Sequence, residues 1–318
     1  MEARRLWFVL SVCAAIAIAC ILTLPLIGSA SISYTKAWAG GIPDHAILFE
    51  IRFPRVLLSM IAGGGLALAG VIFQSLLRDA LATPYTLGVS SGASLGAVLA
   101  ISFGLPAIWI YAVGGAGLTL LIVLAISMGR GGLSPFTLLL AGITINSICL
   151  AAVLFVHSFA SLGQSFVITR WLMGGIEAVP PQTIFWLAAC VVPLGAWCSW
   201  KARDWNLMAV GDEWAAARGL DTRRMLIVGY VVGSLLTGSI TALTGPIGFV
   251  GLIVPHAVRI AFGADHRLVI PASFLLGAVF LAICDTVSRV ALSPAEVPVG
   301  VITAMLGGPF FIWILRRR

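Results

Sequence analysis

The stretch KARDWNLMAVGDEWAAARGLDTRR, residues 201–224, is the one long polar segment of an otherwise apolar chain. It holds nine of the 31 charged residues, of which 19 are basic and 12 acidic. Runs of Leu, Val, Ala and Trp long enough to cross a bilayer lie on both sides of it. We therefore expect this segment to lie in water between two membrane spans.

A short helix is predicted inside this polar segment. Asp212 and Glu213 stand in its first turn, where acidic residues favour the helix dipole. Arg218 stands in its last turn, and Gly219 follows as a C-terminal stop. A helix with its own caps between two spans suits the docking of another protein; a solvated connecting loop is the alternative.

The composition places the whole chain in a membrane. Hydrophobic residues make up 60% of it and charged residues 10%, whereas a soluble domain carries about 25% charged residues. A span needs about 20 residues, so the 318 residues have room for ten spans and for one membrane domain, residues 1–318. We predict an all-α integral membrane protein with about ten transmembrane helices in one bundle and a short cytoplasmic helix.

Ten apolar segments can be delimited along the chain. The third contains Gly88, Gly92 and Gly96 at a spacing of four, which predicts a glycine ridge on one helix face and close approach of a neighbouring backbone. The eighth is predicted to be short and interrupted at Pro255. The predicted spans cover residues 6–27, 54–76, 85–103, 108–128, 136–156, 182–200, 225–243, a short piece ending near 262, 268–287 and 299–315.

The basic residues indicate which side of the membrane each connection faces. With the N-terminus inside, an even number of spans puts both termini in the cytoplasm. All but five of the 19 basic residues then lie inside; those five are Lys36, Arg52, Arg55, Arg170 and Arg289. This distribution obeys the positive-inside rule and explains the net charge of +7 without a nucleic-acid partner. Residues 201–224 are accordingly expected in the cytoplasm.

Several kinds of site are not indicated by the sequence. The six cysteines form no CxxC pair and no two of the four histidines are four apart, so neither a metal site nor a cofactor is predicted. Neither lysine follows a GxxxxG run, so any ATP used for transport should bind to another chain. Asp285 is the one acidic residue that could lie within a span, and an ion relay is therefore not evident.

Two local patterns allow more than one interpretation. Residues 88–92, GVSSG, match the G-x-S-x-G elbow of hydrolases, but they lie in a predicted span, where helix-packing glycines explain them better. Asp285 and Arg289 are four residues apart near the outer end of the ninth span. They can neutralise each other there, or serve docking or a transport pathway.

Seven motifs, in order along nearly the whole chain, resemble the FecCD family of ABC-importer permeases. The family's usual R-N-P-L-A after the second span is here RDALA at 78–82. The resembling motifs are RFPR at 52–55, GVSSGA at 88–93, LLLAG at 138–142, WLMG at 171–174, GFVGLIVPH at 248–256, GADHR at 263–267 and EVPVG at 296–300.

The resemblance implies a permease of the cell inner membrane that acts as a homodimer. It also implies two copies of a separate ABC ATPase, a periplasmic binding protein, and a cargo that is a ferric siderophore, haem or cobalamin, with a siderophore expected first. An ion-coupled secondary transporter is the alternative, and a membrane enzyme comes third. The implied sites are Arg52, Arg55 and Arg289 for binding-protein docking, Gly211, Asp212, Glu213, Ala216, Arg218 and Gly219 for ATPase coupling, and Ser134, Pro135, Phe136 and Thr137 for a cytoplasmic gate.

The implied gate also has a basis in local sequence. Gly131, Gly132 and Pro135 disfavour a continuous helix between the fourth and fifth spans, which predicts a turn at the cytoplasmic face. Near a two-fold axis such a turn would meet its own copy, and Phe136 could close the path as an apolar constriction. Alternatively, Phe136 faces lipid or packs within its own subunit.

Overall fold

The described part of the chain is helical throughout. The computed structural model describes residues 3–129 and 133–316, and no β-strand occurs within these two ranges. Gly131 and Gly132 of the predicted turn lie outside them. The helices are α1 Ala3–Thr23, α2 Tyr34–Trp38, α3 Asp44–Ala46, α4 Phe53–Leu77, α5 Val89–Ser102, α6 Ile108–Ser127, α7 Pro135–Ser158, α8 Leu162–Leu172, α9 Pro181–Trp200, α10 Ala202–Val210, α11 Asp212–Ala217, α12 Thr222–Thr244, α13 Val250–Phe262, α14 His266–Val290 and α15 Val299–Arg316.

Apolar helices occupy the places of all ten predicted spans. Seven helical segments in the described ranges are long and apolar enough to cross a membrane, and they include α1, α6, α7, α9, α12 and α14. The seventh is longer than predicted: α3, a π-helical turn over Ile47–Arg52 and α4 run together as Asp44–Leu77. The shorter apolar helices α5, α13 and α15 correspond to the third, eighth and tenth spans. The prediction of an all-α membrane protein is confirmed.

Helix α4 forms the centre of the bundle. Nearly all of its side chains are buried, and it packs against α12, α13 and, antiparallel, α14. A Cβ atom on Gly63 would overlap the carbonyl oxygen of Gly277 in α14, and one on Gly70 would overlap that of Gly251 in α13. These contacts bring the helix backbones together, which is the main way in which helices associate in lipid.

The predicted glycine ridge of α5 is confirmed for Gly92 and Gly96, whereas Gly88 precedes the helix as its left-handed N-cap and lies closest to α7. A Cβ atom on Gly92 would lie 2.7 Å from the carbonyl oxygen of Gly115 in α6. A Cβ atom on Gly96 would overlap the carbonyl oxygen of Tyr111, which is also in α6. Ser91 precedes Gly92, and its hydroxyl lies 2.5 Å from Asn146 Oδ1 and 3.0 Å from the Gly88 carbonyl oxygen, the two acceptors available to its one proton. The G-x-S-x-G segment is thus the start of a packed helix and not a strand-to-helix elbow.

The predicted break at Pro255 is wrong, because α13 continues through it. Proline has no N–H to donate to the carbonyl of Gly251, one turn earlier. Instead Gln74 Nε2 in α4 donates to that carbonyl oxygen at 3.1 Å. A side chain from a neighbouring helix therefore satisfies the carbonyl that the proline leaves free.

Four short helices were absent from the sequence prediction: α2 and α3, which precede α4, and α8 and α10. The segment 157–181, expected to be a polar loop, contains α8, which opens with a capping box between Ser161 and Gln164. Residues 201–224, expected to hold one short helix, hold α10 as well as α11. All four are short and lie between the predicted spans, so none had the long apolar run on which the span prediction depended.

Candidate functional sites at the two ends of the bundle

The N-terminal end of α4 meets the C-terminal end of α14 in a cluster of charged side chains. Arg55 donates from Nε and Nη2 to Asp285 Oδ1, at 3.1 and 3.0 Å. Its Nη1 donates to both carboxylate oxygens of Glu296, at 3.2 and 3.1 Å. One guanidinium therefore joins α4, α14 and the loop that follows α14.

Arg289 completes the cluster from the other side of Asp285. Its Nε lies 3.2 Å from Asp285 Oδ2, and its Nη1 donates to the carbonyl oxygen of Ile27 at 3.2 Å. Arg52 donates to the carbonyl oxygens of Leu26 and Ala30, in the connection after α1 that also contains Ile27. We call this end of the bundle the arginine face, defined by Arg52, Arg55 and Arg289 with Asp285 and Glu296.

The arginine face is more buried than a rim of docking charges. Asp285 is fully buried, and the three arginines are exposed by 9% or less. Glu296 is the accessible member, with 41% of its side chain exposed. A buried charge is tolerated only with charged or hydrogen-bonding partners, which these five side chains and the loop carbonyls supply to one another.

The sequence therefore indicated the three arginines and the pair of Asp285 with Arg289, but not the partners of Arg52 and Arg55. The structure brings Arg52, Arg55 and Arg289 together, as expected for one site. Asp285 does pair with Arg289, but it pairs with Arg55 as well. Arg55 precedes its acidic partners by 230 and 241 residues, and nothing in the local sequence signals such a contact.

The opposite end of α4 carries the polar segment. Arg78, in a left-handed conformation with φ of 52°, ends α4. It donates from Nε to the carbonyl oxygen of Met208 in α10 at 3.2 Å and forms an ion pair with Asp212 in α11. We call this end the α10–α11 face, defined by residues 202–217.

Helix α11 is the short helix that the sequence predicted, and its end at Gly219 has the expected left-handed backbone, with φ of 80°. Ala215 is fully buried against the bundle. Its neighbours project outward, and the exposed residues of this helix and its C-terminal turn are Glu213, Trp214, Ala216, Ala217, Arg218 and Gly219. Trp214 is 65% exposed, so the outward surface combines an aromatic ring with charges.

A second polar cluster fixes α10 to the two central helices. Asn206 in α10 donates from Nδ2 to Asp265 Oδ1 at 2.9 Å. Its Oδ1 accepts the backbone N–H of His266 at 2.9 Å and lies 2.7 Å from His266 Nδ1. His266 Nε2 in turn lies 2.6 Å from Ser75 Oγ in α4. Burial raises the pKa of Asp265, but the bonds from Asn206 and the Arg267 N–H outweigh it and hold this pKa below its ordinary value.

The predicted gate segment is the start of a helix. Ser134 caps α7: its Oγ accepts the backbone N–H of Thr137 at 3.1 Å, and Pro135 is the first helical residue. Phe136 therefore lies in the first turn of α7 and not in the preceding turn, and it is 73% exposed. The correction follows from the Ser-Pro pair, which favours a helix N-terminus.

One groove is lined by Leu133, the residue before the predicted gate segment, and by Asp212, the first residue of α11. Gly129 and Leu133, which flank the end of α6 and the start of α7, line it together with Asp212 and Arg223. Among the described residues no three His, Cys, Asp or Glu side chains come together as metal ligands do.

With this geometry established, similarity to known proteins can be assessed. A model of the FecCD transport family matches residues 15–317. The chain is 36% identical over 302 residues to the hemin transport system permease protein HmuU of Yersinia pestis, covering 92% of this chain and 90% of that protein. It is 38% identical over 280 residues to the vitamin B12 import system permease protein BtuC of Klebsiella pneumoniae, covering 85% and 82%.

A solved structure also shares the fold along almost the whole chain. It is described as an inward-facing ABC transporter of the metal-chelate type. The TM-score is 0.87 and the sequence identity 26%, with 98% of this chain and 100% of that chain covered.

Proposed function

The chain belongs to the FecCD transport family, and from that premise we propose that it is the permease subunit of an ATP-driven importer of a metal chelate. The observation that carries the proposal is the family match over residues 15–317, with relatives named for hemin and vitamin B12 transport. Family membership favours an ABC importer over the ion-coupled secondary transporter.

The proposed assembly contains two copies of this chain, each a single domain of residues 1–318, and two copies of a separate ABC ATPase. A periplasmic binding protein delivers the cargo. In the proposed orientation the protein lies in the cell inner membrane with both termini in the cytoplasm. The arginine face then looks outward and the α10–α11 face looks toward the ATPase.

Docking of the binding protein is proposed at the arginine face. Arg55 holds Asp285, which is fully buried, and Glu296, which is partly exposed. A carboxylate of an acidic partner could take the place of Glu296 on Arg55 Nη1 without leaving the buried arginine unpaired. Docking would then exchange one ion pair for another, and Glu296 would compete with the partner.

Coupling to the ATPase is proposed through α11 and the adjoining residues 211–219. Ala216 is exposed beside Trp214, whereas Ala215 is buried. A small exposed residue beside an exposed aromatic ring suits insertion into a groove of another protein. On the inward side, Arg78 at the end of α4 bonds to Met208 and Asn206 bonds to Asp265 before α14. These bonds would keep α10 and α11 attached to the bundle when the ATPase moves against the outward surface.

The gate is proposed at Ser134, Pro135, Phe136 and Thr137. Phe136 is 73% exposed at the first turn of α7, and the groove beside that turn also borders α11. If this turn lies near the dimer axis, the two Phe136 rings would close the path by excluding water. Movement of the ATPases against α11 would reach the gate through the shared groove.

The cargo is proposed to be a ferric siderophore, haem or cobalamin. The test uses the purified complex in nanodiscs with binding proteins loaded in turn with a ferric siderophore, haemin or cobalamin. One loaded binding protein should stimulate ATP hydrolysis above its unloaded form, and the stimulating cargo identifies the substrate. If all three leave hydrolysis at the unloaded rate, the proposal of a chelate importer in this class is wrong.

A further inference from the structure

The hydrogen bonds of Asn206 run in one direction across three helices. The carboxylate of Asp265 can only accept, so Asn206 must present its NH₂ group there and its Oδ1 to His266. His266 Nδ1 then carries the ring proton and donates to Asn206 Oδ1. In the neutral ring Nε2 is left as an acceptor. The hydroxyl of Ser75 is the donor within reach, with its Oγ 2.6 Å from His266 Nε2 and 2.7 Å from the carbonyl oxygen of Val71, which competes for the same proton. Asn206 thus fixes the tautomer of His266, and through it the bond to α4.

This network also fastens the N-terminus of α14. Asp265 is the N-cap of α14, and its Oδ1 accepts the backbone N–H of Arg267 at 3.0 Å as well as Asn206 Nδ2. The first N–H of the helix, that of His266, is satisfied by Asn206 Oδ1. The cap of a central helix therefore depends on a side chain of α10.

The helices joined in this way extend to the arginine face. Ser75 follows Arg55 by 20 residues in α4, and Asp285 follows His266 by 19 residues in α14, each about 30 Å along a helix. The two helices touch backbone to backbone at Gly63 and Gly277, midway between their ends. At the far end they are joined again by the ion pair of Arg55 with Asp285.

We propose that Asn206 is a positioning residue that locks the α10–α11 face to the α4–α14 pair. Force applied to α11 then moves two helices whose other ends form the arginine face. The consequence for transport rests on the proposed function. The attachment of α10 to α4 and α14 rests on the observed hydrogen bonds alone. His266 and Ser75 extend these hydrogen bonds to α4, and Asp265 extends them to the N-cap of α14.

The lock can be tested without any partner protein. Asn206→Asp places a carboxylate against that of Asp265, and the double variant Asn206→Asp with Asp265→Asn restores a donor and an acceptor with the roles reversed. The measurement is amide hydrogen exchange in nanodiscs. The single variant should exchange about tenfold faster across Ala202–Val210, and the double variant should return to nearly the wild-type rate.

Helix α5, which Asn206 does not contact, serves as the folding control and should be unchanged in both variants. Wild-type exchange in the single variant would overturn the lock. A double variant whose amides exchange as fast as those of the single variant would also overturn it. The hydrogen bond with donor and acceptor reversed would then not stabilise α10.

The positioning role is tested by coupling. In proteoliposomes with the ATPase and a binding protein, haemin is the probe and the readout is ATP hydrolysed per haemin taken up. Asn206→Asp should raise this ratio several-fold, and the double variant should restore it. An unchanged ratio despite faster exchange would overturn the positioning role. If the wild type takes up no haemin, haem is not the cargo, and the ratio is measured with whichever loaded binding protein stimulates ATP hydrolysis; hydrogen exchange decides on the lock in either case.

Discussion

The two ends of the α4–α14 pair are held by different chemistry. At the arginine face, two buried arginines share one fully buried carboxylate, and a second, partly exposed carboxylate closes the cluster. At the α10–α11 face, an amide, an imidazole and a hydroxyl form directed hydrogen bonds that end on the carboxylate of Asp265, and the ion pair there, Arg78 with Asp212, is more exposed than those of the arginine face. Charges attract over distance and can exchange partners, whereas a hydrogen-bond chain transmits position only while its geometry is kept.

This difference suits the two proposed partners. A soluble binding protein must arrive, dock and leave, and exchangeable ion pairs mainly set how fast it associates. An ATPase that stays attached must transmit a displacement, and rigid hydrogen bonds keep its contact surface in register. The following variants test the comparison, in order from the largest expected effect to the smallest.

Asp285→Asn should be the most damaging change. It removes the carboxylate shared by Arg55 and Arg289 and leaves both buried charges undercompensated, which costs about 3–5 kcal/mol when one partner of a buried pair is lost. Thermal unfolding of the purified chain should show a large loss of stability. The control is Glu177→Gln, at an exposed pair with Arg170, and it should unfold like the wild type. Equal stability of both variants would contradict the account of the cluster.

Ala216→Asp should remove the ATPase from the complex. A charge forced into a protein groove without a partner costs several kcal/mol, roughly, while the exposed position lets the permease itself fold. The measurement is retention of ATPase subunits during purification in detergent. Ala39→Asp makes the same change at another exposed alanine, at the end of α2, and should retain them. Full retention and normal transport in Ala216→Asp would refute the coupling role of α11.

Phe136→Ala should open a leak. Truncation of a gate residue at a dimer axis would let water and cargo pass, or raise ATP use without transport. Cargo leakage from proteoliposomes is the measurement. Phe155→Ala is the matched control, since Phe155 is 66% exposed on the same helix, α7, nearer its other end. A tight, normally coupled Phe136→Ala variant would reject Phe136 as the gate and favour a lipid-facing or packing role.

Glu296→Gln should have the smallest effect. The direction in which it changes the association rate of the binding protein shows whether Glu296 competes with that partner. Loss of a partly exposed ion pair costs about 0–1 kcal/mol in stability. Arg55 Nη1 becomes available to an acidic partner, so binding-protein association should accelerate a few-fold at low salt and approach the wild-type rate at high salt. Slower association would mean that Glu296 helps to bind the partner and does not compete with it.

Arg55 is also a poorer target for a docking test than its sequence position suggests. From the sequence alone, changing Arg52 and Arg55 together to Glu would serve as a docking test that leaves the permease folded. Arg55→Glu would instead place a third carboxylate beside Asp285 and Glu296, with a cost in stability that resembles a loss of docking. Glu296→Gln separates the two effects, because it leaves the buried pair of Arg55 and Asp285 intact.

Local patterns in the sequence predicted the ten apolar segments, the glycine ridge of α5 and the helix α11. Each of these depends on residues close in the chain, namely a long apolar run, a spacing of four, or caps around six residues. The partners of Arg55 lie 230 and 241 residues away, and Gln74 reaches a carbonyl 177 residues away to keep α13 continuous past Pro255. These long-range contacts determine that Arg55 is buried and that α13 continues past Pro255. The residues next to them in the sequence do not indicate such contacts.

The energy source of transport tests the central claim most directly. The measurement is chelate uptake into proteoliposomes that contain this chain, its ATPase and a loaded binding protein, with ATP and ion gradients varied independently. The account predicts uptake that requires ATP and the ATPase chain and that survives collapse of the proton and sodium gradients. Uptake driven by an ion gradient without ATP would contradict it and would establish the secondary transporter instead.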